Sequence, residues 1–259
     1  IHSIMVQKRR GMFRMWNLAL IIIAFAFAQF GMFINRGGPV PSVHSFGQST
    51  LGWIFLMFMG GTLLLAFGLF FFRYNSLKSA RTLESALSRE ASFLVNNLLL
   101  LAVAFVTLWG SVYPLISRLF TGDEITVARP FYDQVNGPLF LGLLFMMGVG
   151  PLLPWRRTTA AGVGKALLRP GSFALAVVVV LLALGLRQPY ALIAFGLGAM
   201  VTAGILLEWY RGARSRHRSM GENYVWAWLR LIGANRPRYG GYIVHLAVVM
   251  VALGIVGAS

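Results

Sequence analysis

Few residues in this chain carry chemistry, and four of them are histidines: His2, His44, His217 and His245. Cysteine is absent, so thiol catalysis, disulfides and thiolate metal sites have no residues here. What remains is imidazole, which serves as acid–base, hydrogen-bonding group or iron ligand. His245 stands in the apolar closing stretch "RPRYGGYIVHLAVVMVALGIVGAS". An ionisable side chain in hydrocarbon is costly and is read first as functional. Six residues separate it from Tyr239, where the stretch leaves its basic flank, which places it about 9 Å deep. His2 precedes Lys8 by six residues in "IHSIMVQKRR", again about 9 Å from the basic flank. Two imidazoles at one depth suit the fifth and sixth ligands of a haem iron held in a helical bundle. The same spacing also suits two separate histidines, each hydrogen-bonded to a neighbouring helix.

His44 differs, because it falls in "NRGGPVPSVHSFGQST" (35–50), where Gly37, Gly38, Pro39 and Pro41 break helix. Eight residues before it, Arg36 can bind a carboxylate or propionate bidentately. The plainer alternative is a loop histidine beside a snorkelling arginine. His217, in the arginine-rich "RGARSRHRSM", reads as a solvated residue near anionic headgroups. No catalytic acid or base is assigned.

The elements that must position these residues follow from hydropathy. Of 259 residues 58% are hydrophobic and 12% charged, whereas a soluble domain is about 25% charged. Seven apolar runs, roughly 15–34, 51–72, 92–116, 136–154, 172–186, 190–210 and 240–259, approach the ~20 residues needed to span a bilayer. The run 172–186 is short and needs its flanks. "VVVV" (177–180) is β-branched, yet an open strand in lipid leaves its backbone unsatisfied, so helix is expected. The expected fold is an all-α polytopic transmembrane bundle of about seven full spans, preceded by the end of another, in one domain over 1–259.

A net charge of +16 raises the question of nucleic acid. Its distribution answers otherwise: 19 of the 23 Lys and Arg fall in alternate loops and none within a span. That bias is the positive-inside pattern, which puts the 19-charge side in the cytoplasm and removes the need for a nucleic-acid partner. Loops 35–50 and 117–138 then lie outside, and a basic segment 211–238 lies inside, with "NYVWAWLRLIGANRPR" (223–238) as an interfacial helix. A multi-pass protein of a bacterial cytoplasmic membrane, or of an organellar inner membrane, is expected. The chain begins at Ile1, and "IHSIMVQ" reads as the end of a span whose start is not included, in a fragment or a split subunit.

Phosphate loops, GxSxG, HExxH and the dinucleotide fingerprint do not occur. With Glu208 at a cytoplasmic end, no carboxylate relay crosses the expected spans, which argues against proton pumping. Two readings from other classes stay open: a b-haem quinol oxidoreductase subunit, and a transporter or channel whose histidines only pack.

An ordered set of short segments carries a resemblance. "HSIMVQKRRGMFRMWN", "SVHSF", "SRE" (88–90) with Asn96-Asn97, "WGSVYPL", "PFYDQVNGPL", "GVGPLLPW" and "RYGGYIVHLA" follow one another as in the CcmF-type cytochrome c haem lyases, which the chain resembles along nearly its whole length. The resemblance implies that His2 and His245 ligate a resident haem b. It implies that His44 ligates incoming substrate haem, delivered by the chaperone CcmE and attached to apocytochrome c, with a CcmH-type partner handling the apocytochrome thiols. Quinol is a candidate electron donor. Two departures stand out. The family's WWD region and first periplasmic histidine do not occur in this stretch, so another portion or partner chain would supply them. The family's R-S-G-V-L is replaced by Arg36-Gly37-Gly38-Pro39-Val40-Pro41, which affects Arg36 more than His44.

Overall fold

A computed structural model describes residues 2–37, 51–79 and 83–258. Among the described residues ten α-helices occur in order: α1 (His2–Arg10), α2 (Arg14–Gly37), α3 (Leu51–Phe72), α4 (Tyr74–Leu77), α5 (Arg89–Thr121), α6 (Arg129–Val149), α7 (Ala160–Ala183), α8 (Pro189–Met220), α9 (Tyr224–Ala234) and α10 (Arg236–Gly257). No strand occurs among the described residues. Seven helices, α2, α3, α5, α6 with its 3₁₀ extension, α7, α8 and α10, are long and apolar enough to cross a bilayer. The protein is a polytopic all-α membrane bundle, and the "VVVV" run lies inside α7.

Helix ends depart from hydropathy boundaries for identifiable reasons. The short run 172–186 becomes a full span because α7 recruits residues from Ala160 onward, started by Thr159, whose hydroxyl accepts from Gly162 N at 3.1 Å. At the other end it stops at Ala183, and Gly185 follows in the left-handed region at φ 96°. The expected external loop 117–138 narrows to 122–128, since α5 runs on to Thr121 and α6 begins at Arg129. Pro114, Pro138 and Pro170 lie within α5, α6 and α7, as membrane helices tolerate.

The chain divides into two compact units. The first comprises Ile1–Leu83 and Leu101–Val135. In it α1 returns on α2 through Gly11 (φ 68°) and Phe13 (φ 64°), the latter a non-glycine residue in the left-handed region. Asn17 of α2 holds this corner, its Nδ2 donating to Ser3 O at 3.2 Å and to Gln7 Oε1 at 2.6 Å. Val6 and Met12 are buried beside it. α2 and α3 pair along their length, and the Thr62 hydroxyl donates to Gln29 Oε1 at 2.9 Å.

The second unit comprises Glu84–Leu100 and Asn136–Ser259. α8 is its axis. Ala191, Ala194, Gly196, Gly198, Gly204, Gly212 and Ala213 let neighbouring helices approach closely. A Cβ on Gly198 would lie 3.1 Å from Leu253 of α10, and one on Gly196 would lie 2.8 Å from Val178 of α7. Lipid is as apolar as leucine, so such small-residue contacts, not burial from water, bring membrane helices together. The core runs from Leu144 through Val201, Ile205 and Trp209 to Leu231, Tyr242 and Val249.

Candidate functional site

His245 is placed by two pins on α10. Below it, Trp209, Tyr239 and Tyr242 form an aromatic group, with Trp209–Tyr239 centroids 6.1 Å apart and Tyr239–Tyr242 centroids 5.8 Å apart, edge to face. The Tyr242 hydroxyl accepts from Arg238 Nε at 3.2 Å, and Arg238 also pairs with Glu208. Above it, Leu253 lies against Gly198. These contacts fix the rotation of α10. At 100° per residue His245 stands about 60° from Tyr242 and 40° from Val249, both buried. On its other side are Val244 and Val248, both exposed. The imidazole therefore lies half-buried at the seam of the second unit, between packed and outward faces.

His2 occupies the first turn of α1, in the first unit, and is half-buried next to the buried Ser3. Asn17 bonds the Ser3 carbonyl directly, so the turn that carries His2 is tied to α2. His2 and His245 thus belong to different units.

Arg36 stands exposed in the last turn of α2. Immediately after it, Gly37 meets Gly52 of α3 so closely that a Cβ on Gly37 would lie 3.3 Å from the Gly52 Cα. Arg36 is therefore next to the point where α2 meets α3. His44 itself lies outside the described residues.

His217 has a structural role that its loop-like surroundings concealed. Its Nδ1 is 2.7 Å from Glu222 O, and its ring stacks on Tyr224 with centroids 4.3 Å apart. Glu222 receives Arg216 bidentately, both bonds 2.9 Å, and Arg230 at 2.7 Å. These two guanidiniums hold its carboxyl down to about 2. The clamp fastens α9 to the end of α8, where Gly221 (φ 68°) supplies the left-handed helix stop. α9 confirms a helix within the expected segment 223–238.

A polar group around "SRE" escaped the sequence reading. Ser88 and Glu90 are both 0% exposed at the start of α5. Beside them the Arg89 guanidinium donates to Pro151 O and lies 5.2 Å over the Trp155 ring. The backbone joins in, with Arg89 N on Pro154 O at 2.9 Å and Thr158 N on Leu87 O at 3.2 Å. The segment 84–92 is thereby bound to the loop after α6. A carboxylate set two residues before the expected span looked like a solvated flank, and only burial distinguishes it.

Among the described residues no group of three or more His, Asp or Glu could enclose a metal ion.

This fold defines the class: a multi-pass helical membrane protein, with a histidine on its first and on its last described helix. Comparison with known proteins identifies the kind. The chain is 32% identical over 262 residues to the cytochrome c-type biogenesis protein CycK of Rhizobium meliloti, covering 99% of this chain and 37% of that protein. It is 32% identical over 269 residues to cytochrome c-type biogenesis protein CcmF of Pseudomonas fluorescens, covering 100% and 38% respectively. The cytochrome c-type biogenesis protein NrfE of Haemophilus influenzae is 30% identical over 148 residues, 57% of this chain and 23% of that protein. The chain belongs to the CcmF/CycK family of cytochrome c-type biogenesis proteins and spans a little over a third of the length of its curated relatives. No protein-family model and no solved structure matches it.

Proposed function

We propose that the chain is part of a membrane haem lyase that joins haem to apocytochrome c on the outer side of a bacterial cytoplasmic membrane. The observation that carries this reading is near-complete alignment with CcmF and CycK relatives, with imidazoles present on the helices at both ends. Orientation follows the charge bias, with the 19-charge loops in the cytoplasm. Segment 35–50, bearing His44, then faces outward.

In this account His2 and His245 would hold a resident haem b, which would supply reversible one-electron chemistry when bound. The residues themselves orient and shield. Tyr242 and the Leu253–Gly198 contact hold the His245 ring at its seam, and Asn17 holds the turn of His2. Quinol is the class of electron donor suited to a membrane site of this kind. His44 holds the iron of substrate haem, received from CcmE, while Arg36, eight residues before it, pairs with a propionate. Each apocytochrome thiol adds across a vinyl group: sulfur bonds to one carbon, the thiol hydrogen goes to the other, and a thioether forms with no net redox change. Positioning of thiol against vinyl is the main contribution asked of the protein. A CcmH-type partner supplies reduced apocytochrome, and a WWD-bearing portion completes the external platform.

The test uses the complete assembly in membranes. His44→Ala should abolish formation of covalent c-type haem while the resident haem spectrum is retained. Maturation at the unaltered level in that variant would overturn the reading.

A further inference from the structure

The last third of α8 continues past the membrane-apolar part of the helix, and its two faces are built differently. The apolar run ends at Leu207 before Glu208, so Arg211, Arg214 and Arg218 stand about 5, 9 and 15 Å beyond that point along the axis. Arg216 and Ala213 face the rest of the second unit: Ala213 is buried in the core, and Arg216 is spent on Glu222. Arg211, Arg214 and Arg218 lie within about 60° of arc on the roughly opposite face. Together with Ser215 and Ser219 they line a shallow, open depression along one face of α8, with no carboxylate in its lining. Arg211 pairs with Glu208 at 3.1 Å. For Arg214 and Arg218 no ion pair occurs among the described residues, and both are exposed.

A second feature marks the level of the bilayer surface. Trp228 of α9 packs on Trp209 with centroids 5.0 Å apart. The helix α9 also exposes Tyr224, Val225, Trp226 and Leu229, an aromatic and apolar set suited to the headgroup boundary. Trp209 is one residue beyond Glu208, so the arginine-lined depression begins where the headgroup layer does. A phosphate anion there meets two uncommitted guanidiniums and two hydroxyls, and guanidinium–phosphate pairing is favoured in geometry and charge.

We propose that this face of α8, centred on Arg214 and Arg218, binds the phosphate headgroups of anionic phospholipid in the cytoplasmic leaflet. The proposal rests on the orientation given above. It deepens the positive-inside pattern into a defined lipid contact, and it separates two arginine populations on one helix: Arg216 builds the fold, whereas Arg214 and Arg218 hold lipid.

The experiment reconstitutes the complete protein in nanodiscs of phosphatidylcholine with phosphatidylglycerol and measures retained lipid by mass spectrometry. The unaltered protein should enrich phosphatidylglycerol, less so as salt rises. The double variant Arg214→Gln/Arg218→Gln should lower that enrichment by about twenty-fivefold, taking roughly fivefold per basic residue at the surface. The control Arg156→Gln/Lys165→Gln should keep it, and Arg214→Lys/Arg218→Lys should keep most of it, which guards against misfolding. Undiminished enrichment in the glutamine variant, or equal loss in the control, overturns the proposal. So does inorganic phosphate, if with phosphatidylcholine discs it raises the unfolding temperature as much as phosphatidylglycerol does. Orientation is read separately: Met220→Cys, in a chain that has no cysteine, should react with an impermeant maleimide only after cells are permeabilised. Labelling from outside would overturn the orientation, and with it the choice of leaflet, without altering the enrichment.

Discussion

Two guanidiniums hold the Glu222 carboxylate, and the consequence can be measured. Its titration is lowered from 4.5 to about 2 by the bonds from Arg216 and Arg230. A depressed folded value means that the contribution is present above the unfolded value and lost as pH falls. The clamp should therefore be intact above pH 4.5 and weaken between 4.5 and 2. Amide exchange at Val225 and Trp226 should accelerate in that window, and Glu222→Gln should show the fast exchange already at neutral pH. An unchanged exchange rate in the variant would mean that α9 is held by Trp209–Trp228 and the core alone. The residue types in "RGARSRHRSMGENY" gave no hint of this division of labour. Every arginine there reads as a topology signal, and only α8's periodicity with Gly221 as its stop tells which ones turn inward. His245 was different: an imidazole in an apolar helix is anomalous in any environment, so its type and depth were sufficient to single it out.

At the level of elements, the spans were legible because hydropathy is summed over some twenty residues and is insensitive to any one of them. Their ends were not, since a helix continues until its hydrogen bonding is interrupted, not until its side chains become polar. The run of α8 through twelve residues beyond Glu208, to Met220 before Gly221, shows this, as does α7's start at Ala160. Close approaches were equally hidden, because a glycine in an apolar run looks the same whether or not a neighbour touches it. At Gly212 the contact is severe. A Cβ there would lie 2.5 Å from the Tyr239 hydroxyl oxygen and 3.0 Å from Leu231. Gly212→Val should push α9 and α10 off α8 at a cost of about 1–3 kcal/mol, typical of overpacking. Because Tyr239 and Tyr242 fix the rotation of α10, the same variant should reduce bound haem b through a displaced His245. Thermal unfolding and haem content, measured together, check it; full haem content in a destabilised variant would show that the α8–α10 corner does not set the imidazole.

Across the whole molecule, alternation of basic loops and seven spans were enough to define a polytopic bundle, and the ordered motifs were enough to define the family. The site was only partly legible. Two depths measured from Lys8 and Tyr239 match without specifying which way either ring turns, and rotation comes from Asn17 in one unit and the Trp209–Tyr242 group in the other. Glu90 stood in the quoted "SRE" segment, but its burial was hidden because sequence position alone does not report it. The account as a whole turns on both terminal imidazoles serving one haem iron, and the most direct measurement is the low-temperature absorption and electron paramagnetic resonance spectrum of the complete assembly. A low-spin bis-imidazole b-haem signal should be present in the unaltered protein and lost in both His2→Ala and His245→Ala. Full haem content with an unchanged low-spin signal in both variants would contradict it.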